Sequence, residues 1–118
     1  TNAKYKLEIT RIDVNLAYIQ QEEGDLEGTV KSYVSILARR KELQSNYPNN
    51  LQLKSDLNNA RVNAAMLATA VVDNVRSPKP NGVKLTAERA GELLADLEKA
   101  DSNPDVQKQI KRLASGEP

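Results

Sequence analysis

The chain has 118 residues, 39% of them hydrophobic, with neither Phe nor Trp, neither Cys nor His, and a formal net charge of +1. The length suits one domain; the missing Cys rules out disulfides, a thiolate nucleophile and a Cys-based zinc site, and the missing His removes the commonest general base and metal ligand. The near balance of charge gives no ground for nucleic-acid or anionic-membrane binding, and no apolar run approaches the ~20 residues of a membrane span.

A core must therefore be built from Leu, Ile, Val and Ala, helped by the four tyrosines. Small side chains of this kind suit closely packed helices. A chain without Cys is stable in either redox setting, so the compartment stays open, with the cytoplasm as the default. The first residue is Thr1 rather than Met, so a fragment or a processed chain is expected.

The first predicted helix runs from about Ala3 to Glu23. Tyr5, Ile9, Ile12, Leu16 and Ile19 recur at steps of four, three, four and three, which traces one continuous apolar stripe. Leu7, Val14 and Tyr18 widen that face. Gly24-Asp25 then forms a tight turn. Gly24 can take the left-handed conformation that closes a helix, and Asp25 can cap the next one. Capping and solvation account for Glu22-Glu23-Gly24-Asp25, which lacks the ligand spacing of a calcium loop.

The second helix carries Leu26, Val30, Tyr33 and Leu37 as its stripe, with Val34 and Ile36 beside it. It continues through Arg39-Arg40-Lys41-Glu42-Leu43, whose basic residues read as a solvated helix terminus. Asn46-Tyr47-Pro48-Asn49-Asn50 is a loop, with Asn49 or Asn50 placed to cap a third helix. That helix spans about Leu51 to Arg76. Leu53, Leu57, Ala60, Ala64, Leu67, Val71 and Val75 form its inner face, and its length is on the order of 39 Å at 1.5 Å per residue. Asn58, Asn59 and Asn63 interrupt the run and read as exposed.

Ser77-Pro78-Lys79-Pro80-Asn81-Gly82 breaks the helix, with Val83 and Leu85 expected to tuck against the body. Thr86 can cap a fourth helix, about Ala87 to Ala100, with Ala90, Leu93, Leu94 and Leu97 inward. Asn103-Pro104-Asp105 is a cap, a first-turn proline and a first-turn acid in order. It opens a fifth helix, about Pro104 to Ala114, with Val106, Ile110 and Leu113 as its apolar face. The fold class expected is all-α, about five helices arranged as stacked antiparallel hairpins.

An offset of 48 residues aligns Leu16-Ala17 with Ala64-Ala65, Asn15 with Asn63 and Val14 with Val62. With Leu16-Ala17, the Gly24-Asp25 turn, Tyr33 and Ile36-Leu37, the first hairpin resembles a tetratricopeptide repeat. Departures are Asp13 for the large residue, Gln20 for Tyr, Thr29 for Ala and Lys41 for Pro. Without that proline the second helix can run on, as in the longer repeats of bacterial signalling proteins. The resemblance implies a first repeat over about 3–45, a divergent second over about 51–100, and a terminal capping helix over about 104–114. Val72 stands where a second turn glycine would fall, so the third helix overshoots.

The resemblance also implies a concave face lined by the first helix of each hairpin. By position that face holds Arg11, Asn15, Tyr18, Gln21 and Glu22, then Asn59, Asn63, Met66 and Thr69. Asn15 and Asn63 are the leading candidates to hydrogen-bond a ligand's backbone, since an amide both donates and accepts. The implied function is docking of a protein or peptide segment, as part of a larger protein, without catalysis, cofactor, metal, nucleic acid or membrane insertion. A second reading is a structural or self-association domain, with a homo-oligomer as its product.

Overall fold

Gly24 has φ +78°, and the chain reverses there. Asp25 N–H donates to the Gln20 carbonyl at 2.8 Å and Gly24 N–H to that of Gln21 at 3.1 Å. This pair of bonds closes a helix around a left-handed residue and satisfies carbonyls that helix geometry leaves open. Asp25 then opens the next helix: its Oδ1 accepts from Gly28 N–H at 2.9 Å. Gly28 leaves room for that carboxylate, since a Cβ there would meet Asp25 Oδ2 at 2.2 Å.

The computed structural model describes residues 2–77 and 84–116. Among them are five helices: α1 (Asn2–Glu22), α2 (Leu26–Asn46), α3 (Leu51–Arg76), α4 (Ala87–Ala100) and α5 (Pro104–Ser115). The protein is all-α. Asn50, Thr86 and Asn103 cap α3, α4 and α5 through bonds to Leu53, Arg89 and Asp105 N–H respectively. The Pro78–Gly82 break and Val83 lie outside the described residues; Leu85 beside them is buried.

Each helix packs on its chain neighbour; α2 also meets α4, and α5 lies against α3. The radius of gyration is 14.8 Å and the extents are 47 × 27 × 17 Å, against about 13.5 Å for a compact domain of this length. The molecule is an elongated slab. Its main core joins Val30, Tyr33, Ile36 and Leu37 of α2 to an α3 face that includes Ala60, Ala64 and Ala68, and to Leu93, Leu94 and Leu97 of α4. The alanines, a turn apart, let α3 approach its neighbours closely. Of the four tyrosines only Tyr33 is buried; Tyr5, Tyr18 and Tyr47 are exposed.

A second, smaller cluster of Leu7, Leu43 and Leu53 stands apart from the main core. Three residues along from each lies a buried polar one: Thr10, Arg40 and Asp56. Arg40 Nη1 donates to the Asp56 carbonyl at 2.9 Å, and Nε to Thr10 Oγ1 at 3.2 Å. A polar layer therefore divides two apolar ones. Burial pulls the Arg40 guanidinium below its ordinary pKa, and the nearby Asp56 charge pushes back.

Of the expected solvated Arg39-Arg40-Lys41, Arg39 and Lys41 are exposed, and the correction concerns Arg40. Arg40 is interior, Arg39 pairs with Asp13 at 2.8 Å, and Lys41 lies 3.8 Å from the buried Asp101. The expected core face of α1 is corrected as well. α1 buries Leu7, Thr10 and Ala17, while Tyr5, Ile12, Leu16 and Ile19 are exposed. Cross-helix polar bonds set this rotation: Thr10 to Arg40, Asp13 to Arg39, and Gln20 Oε1 accepting from Ser32 at 2.6 Å. Thr10, Asp13, Ala17 and Gln20 share one helix face, whose small and polar side chains carry no hydrophobic signature.

At the far end, Asp101 accepts both Nε (2.8 Å) and Nη2 (2.9 Å) of Arg61. Its carboxylate raises the guanidinium pKa chiefly through those bonds. Asn103 Nδ2 donates to the Arg61 carbonyl at 3.2 Å, so the α4–α5 corner is tied to α3 at one residue.

Candidate functional site

α1 and α3 flank α2 and leave a trough between them. Val14, Tyr18 and Gln21 recur at steps of four and three along α1, so they share one side of that helix. Asn63, Met66, Leu67 and Ala70 do the same on α3. Thr29 and Tyr33 of α2 form the floor. These nine residues line a cavity of about 450 Å³, within the range of ligand-binding clefts.

The chemistry of the trough is amphipathic and neutral: none of its lining residues is charged. Tyr33 and Thr29 are buried, whereas Tyr18, Met66 and Asn63 stand exposed at the rim. Asn63 Nδ2 donates to the Tyr33 hydroxyl at 3.1 Å, which fixes the amide against the floor. The rim thus offers an aromatic ring, a flexible thioether and an anchored amide. Such groups bind apolar side chains and peptide backbone.

Of the residues expected on a concave face, Tyr18, Gln21, Asn63 and Met66 come together here. Arg11, Asn15, Glu22, Asn59 and Thr69 are not in the lining. Arg11 is exposed and pairs with Glu8 at 2.7 Å. Thr69 turns its hydroxyl onto the Ala65 carbonyl of its own helix at 3.2 Å. Asn15, Glu22 and Asn59 are exposed on other parts of their helices.

The 48-residue offset also fails as a guide to environment. Leu16 is exposed but Ala64 is buried, and Val14 is half-buried but Val62 is exposed. α1 and α3 are rotated differently about their axes, so Asn15 and Asn63 are not equivalent. Sequence reasoning missed Val14, Thr29, Tyr33, Leu67 and Ala70 as trough residues. Tyr33 had a usable signal: it is an aromatic with a polar tip, which needs a partner or solvent when buried.

Among the described residues, no group of three or more Asp or Glu is placed to hold a metal ion, and no helix is long and apolar enough to cross a membrane. A smaller hollow of about 250 Å³ between α1 and α2 is lined by Lys6, Ile9, Arg39, Glu42, Leu43 and Asn46. Comparison with models of known protein families, with curated proteins and with solved structures finds no match.

Proposed function

We propose that this chain is a protein-interaction module, part of a larger protein, that docks a partner segment in the trough between α1 and α3. The observation that carries this is the gathering of Tyr18, Tyr33, Asn63 and Met66 in one neutral, amphipathic channel. A tetratricopeptide-like arrangement is supported by the Gly24-Asp25 hairpin, the stepwise packing of successive helices and α5 closing on α3. Its departure is the rotation of α1, which moves Arg11 and Asn15 out of the channel.

The partner is a peptide segment with apolar side chains and little charge. Its aliphatic or aromatic groups would lie on Tyr18 and Met66, and its backbone would meet the Asn63 amide. Catalysis is not part of this reading, because the channel presents no acid, base or nucleophile stronger than a Tyr or Thr hydroxyl.

The test is selection of binding peptides from a displayed random library, followed by amide chemical-shift mapping. The expected result is a set of neutral, apolar-rich peptides that shift residues around Tyr18, Asn63 and Met66. Met66→Ala and Asn63→Ala should weaken them, and Arg11→Ala should not. Selected peptides that map elsewhere, or charged ones that need Arg11, would overturn the proposal.

A further inference from the structure

Tyr33 and Asn63 meet in the lining of the trough, and their bond leaves hydrogen-bonding capacity unused. The Tyr33 hydroxyl accepts from Asn63 Nδ2 at 3.1 Å. A phenol also has a proton to donate, and among the described residues none accepts it. Tyr33 retains only 8% of its exposure, so a spare donor sits on a buried ring at the trough floor. Asn63 has spent one amide N–H and keeps its Oδ1 as an acceptor. Exchanging the oxygen and nitrogen of that amide leaves the same inventory, one donor and one acceptor, with the roles of the two residues reversed.

The rest of the lining narrows what can meet this pair. Thr29, the other floor residue, gives its hydroxyl proton to the Asp25 carbonyl at 2.7 Å. Val14, Leu67 and Ala70 offer apolar surface, and no lining residue is charged. A group that enters beside Tyr33 and Asn63 must replace the hydrogen bonds that solvent supplies there. An aliphatic or aromatic end cannot do so, and it leaves the buried phenol proton unpaired. A carboxylate accepts from Tyr33 but has no proton for Asn63 Oδ1, and it brings a charge that no lining residue balances. A primary carboxamide carries a carbonyl oxygen and an N–H at one end, and it satisfies both partners at once.

We propose that the trough recognises a glutamine side chain within the docked segment, its carbonyl accepting from the Tyr33 hydroxyl and its N–H donating to Asn63 Oδ1. This rests on the docking reading above and names the feature that specifies the segment. A glutamine stem is apolar, as the walls are, and it carries the amide inward past the exposed rim of Tyr18 and Met66. One trans peptide unit directs its N–H and C=O to opposite sides, so a single backbone unit does not serve the pair. The second Asn63 N–H stays available to the backbone of the segment.

The probes are peptides selected from a displayed random library and mapped to the trough by chemical shift. Each is then remade with its glutamine replaced by methionine, of similar length and volume, or by glutamate. Isothermal titration calorimetry measures all three on the native chain and on Tyr33→Phe, with circular dichroism confirming that the variant is folded. Glutamine should be enriched at one fixed position among the trough-binding peptides. The methionine and glutamate forms should each bind the native chain about tenfold more weakly. On Tyr33→Phe the advantage of glutamine over methionine should shrink to near one. That ratio compares two peptides on one protein, so a loss of stability in the variant cancels from it. Trough-binding peptides without glutamine, methionine or glutamate forms that bind as tightly, or a ratio unchanged by Tyr33→Phe would each overturn glutamine recognition while leaving docking in the trough intact. A library that yields no trough-binding peptide overturns both.

Discussion

Asn63 on α3 donates its amide to the Tyr33 hydroxyl of α2 at 3.1 Å, so an exposed amide of the trough is held by its buried ring. The bond serves both fold and site. Tyr33→Phe removes the acceptor and should cost about 1 kcal/mol of unfolding free energy. Asn63→Ala should cost a similar amount or less, since Asn63 is exposed. The double variant should cost little more than Tyr33→Phe alone, because both changes remove one shared bond. Urea denaturation of the four proteins measures this, and strictly additive losses would show that the bond contributes nothing.

Arg40 is the member of the buried polar layer that bonds to both others. Arg40→Leu removes the donor to Thr10 Oγ1 and to the Asp56 carbonyl, and removes a positive charge near the Asp56 carboxylate. Gln52 still donates to Asp56 Oδ1 at 3.0 Å, but Oδ2 is buried with no hydrogen-bond partner. The expected loss is about 3 kcal/mol. Arg40→Leu combined with Asp56→Leu should recover much of it, because an apolar layer of similar volume has no charge to desolvate. Denaturation midpoints in guanidinium chloride compare the three proteins. A double variant less stable than Arg40→Leu would show that the layer's polar bonds outweigh its desolvation cost.

That layer marks where sequence reasoning stops. The starts of α3, α4 and α5 were legible because Asn50, Thr86 and Asn103-Pro104 act on the backbone beside them, within three residues. The Gly24-Asp25 turn was legible for the same reason. The rotation of α1 was not. It depends on Thr10 meeting Arg40, Asp13 meeting Arg39, and Gln20 meeting Ser32, and polar pairs between helices leave no periodic apolar trace. The larger and more regular row, Tyr5 to Ile19, therefore read as the core face. The same rotation decides the candidate site. Tyr18, Asn63 and Met66 reach the trough, whereas Arg11, Asn15 and Asn59 fall on other faces. Tyr33 was legible as an inward residue, but its role as the floor depends on the separation of α1 from α3, which no local signal encodes.

Gly24 should resist replacement because of its backbone conformation. Its φ of +78° lies in the left-handed region, although a Cβ there would meet no atom within 4 Å. The cost of Gly24→Ala is thus conformational rather than steric, about 1–2 kcal/mol. Gly24→Asn should cost less, because a short polar side chain tolerates this conformation. Thermal unfolding should rank the native chain above Gly24→Asn and Gly24→Ala lowest. Equal values for the two variants would mean that the turn relaxes to another conformation.

Glu98 makes the α4–α5 corner sensitive to acid. Burial raises its pKa, but hydrogen bonds from Gln107 Nε2 at 2.6 Å, Asn103 N–H at 3.1 Å and Ser102 Oγ at 3.1 Å favour the carboxylate. Together they outweigh burial and the nearby Asp101 charge, and the net shift is downward. A carboxyl whose pKa is lower folded than unfolded binds protons more tightly in the unfolded chain. Its stabilisation is therefore fully present above the unfolded value of about 4.3. It is lost as the pH falls through the lower folded value. Glu98→Gln removes the titration while keeping an acceptor oxygen. The difference in melting temperature between the native chain and Glu98→Gln should be largest near neutral pH and should shrink below about pH 4. Other carboxylates titrate alike in both proteins and largely cancel in the difference. A gap that stays constant across this range would show that the three donors do not distinguish the charged from the neutral form of Glu98.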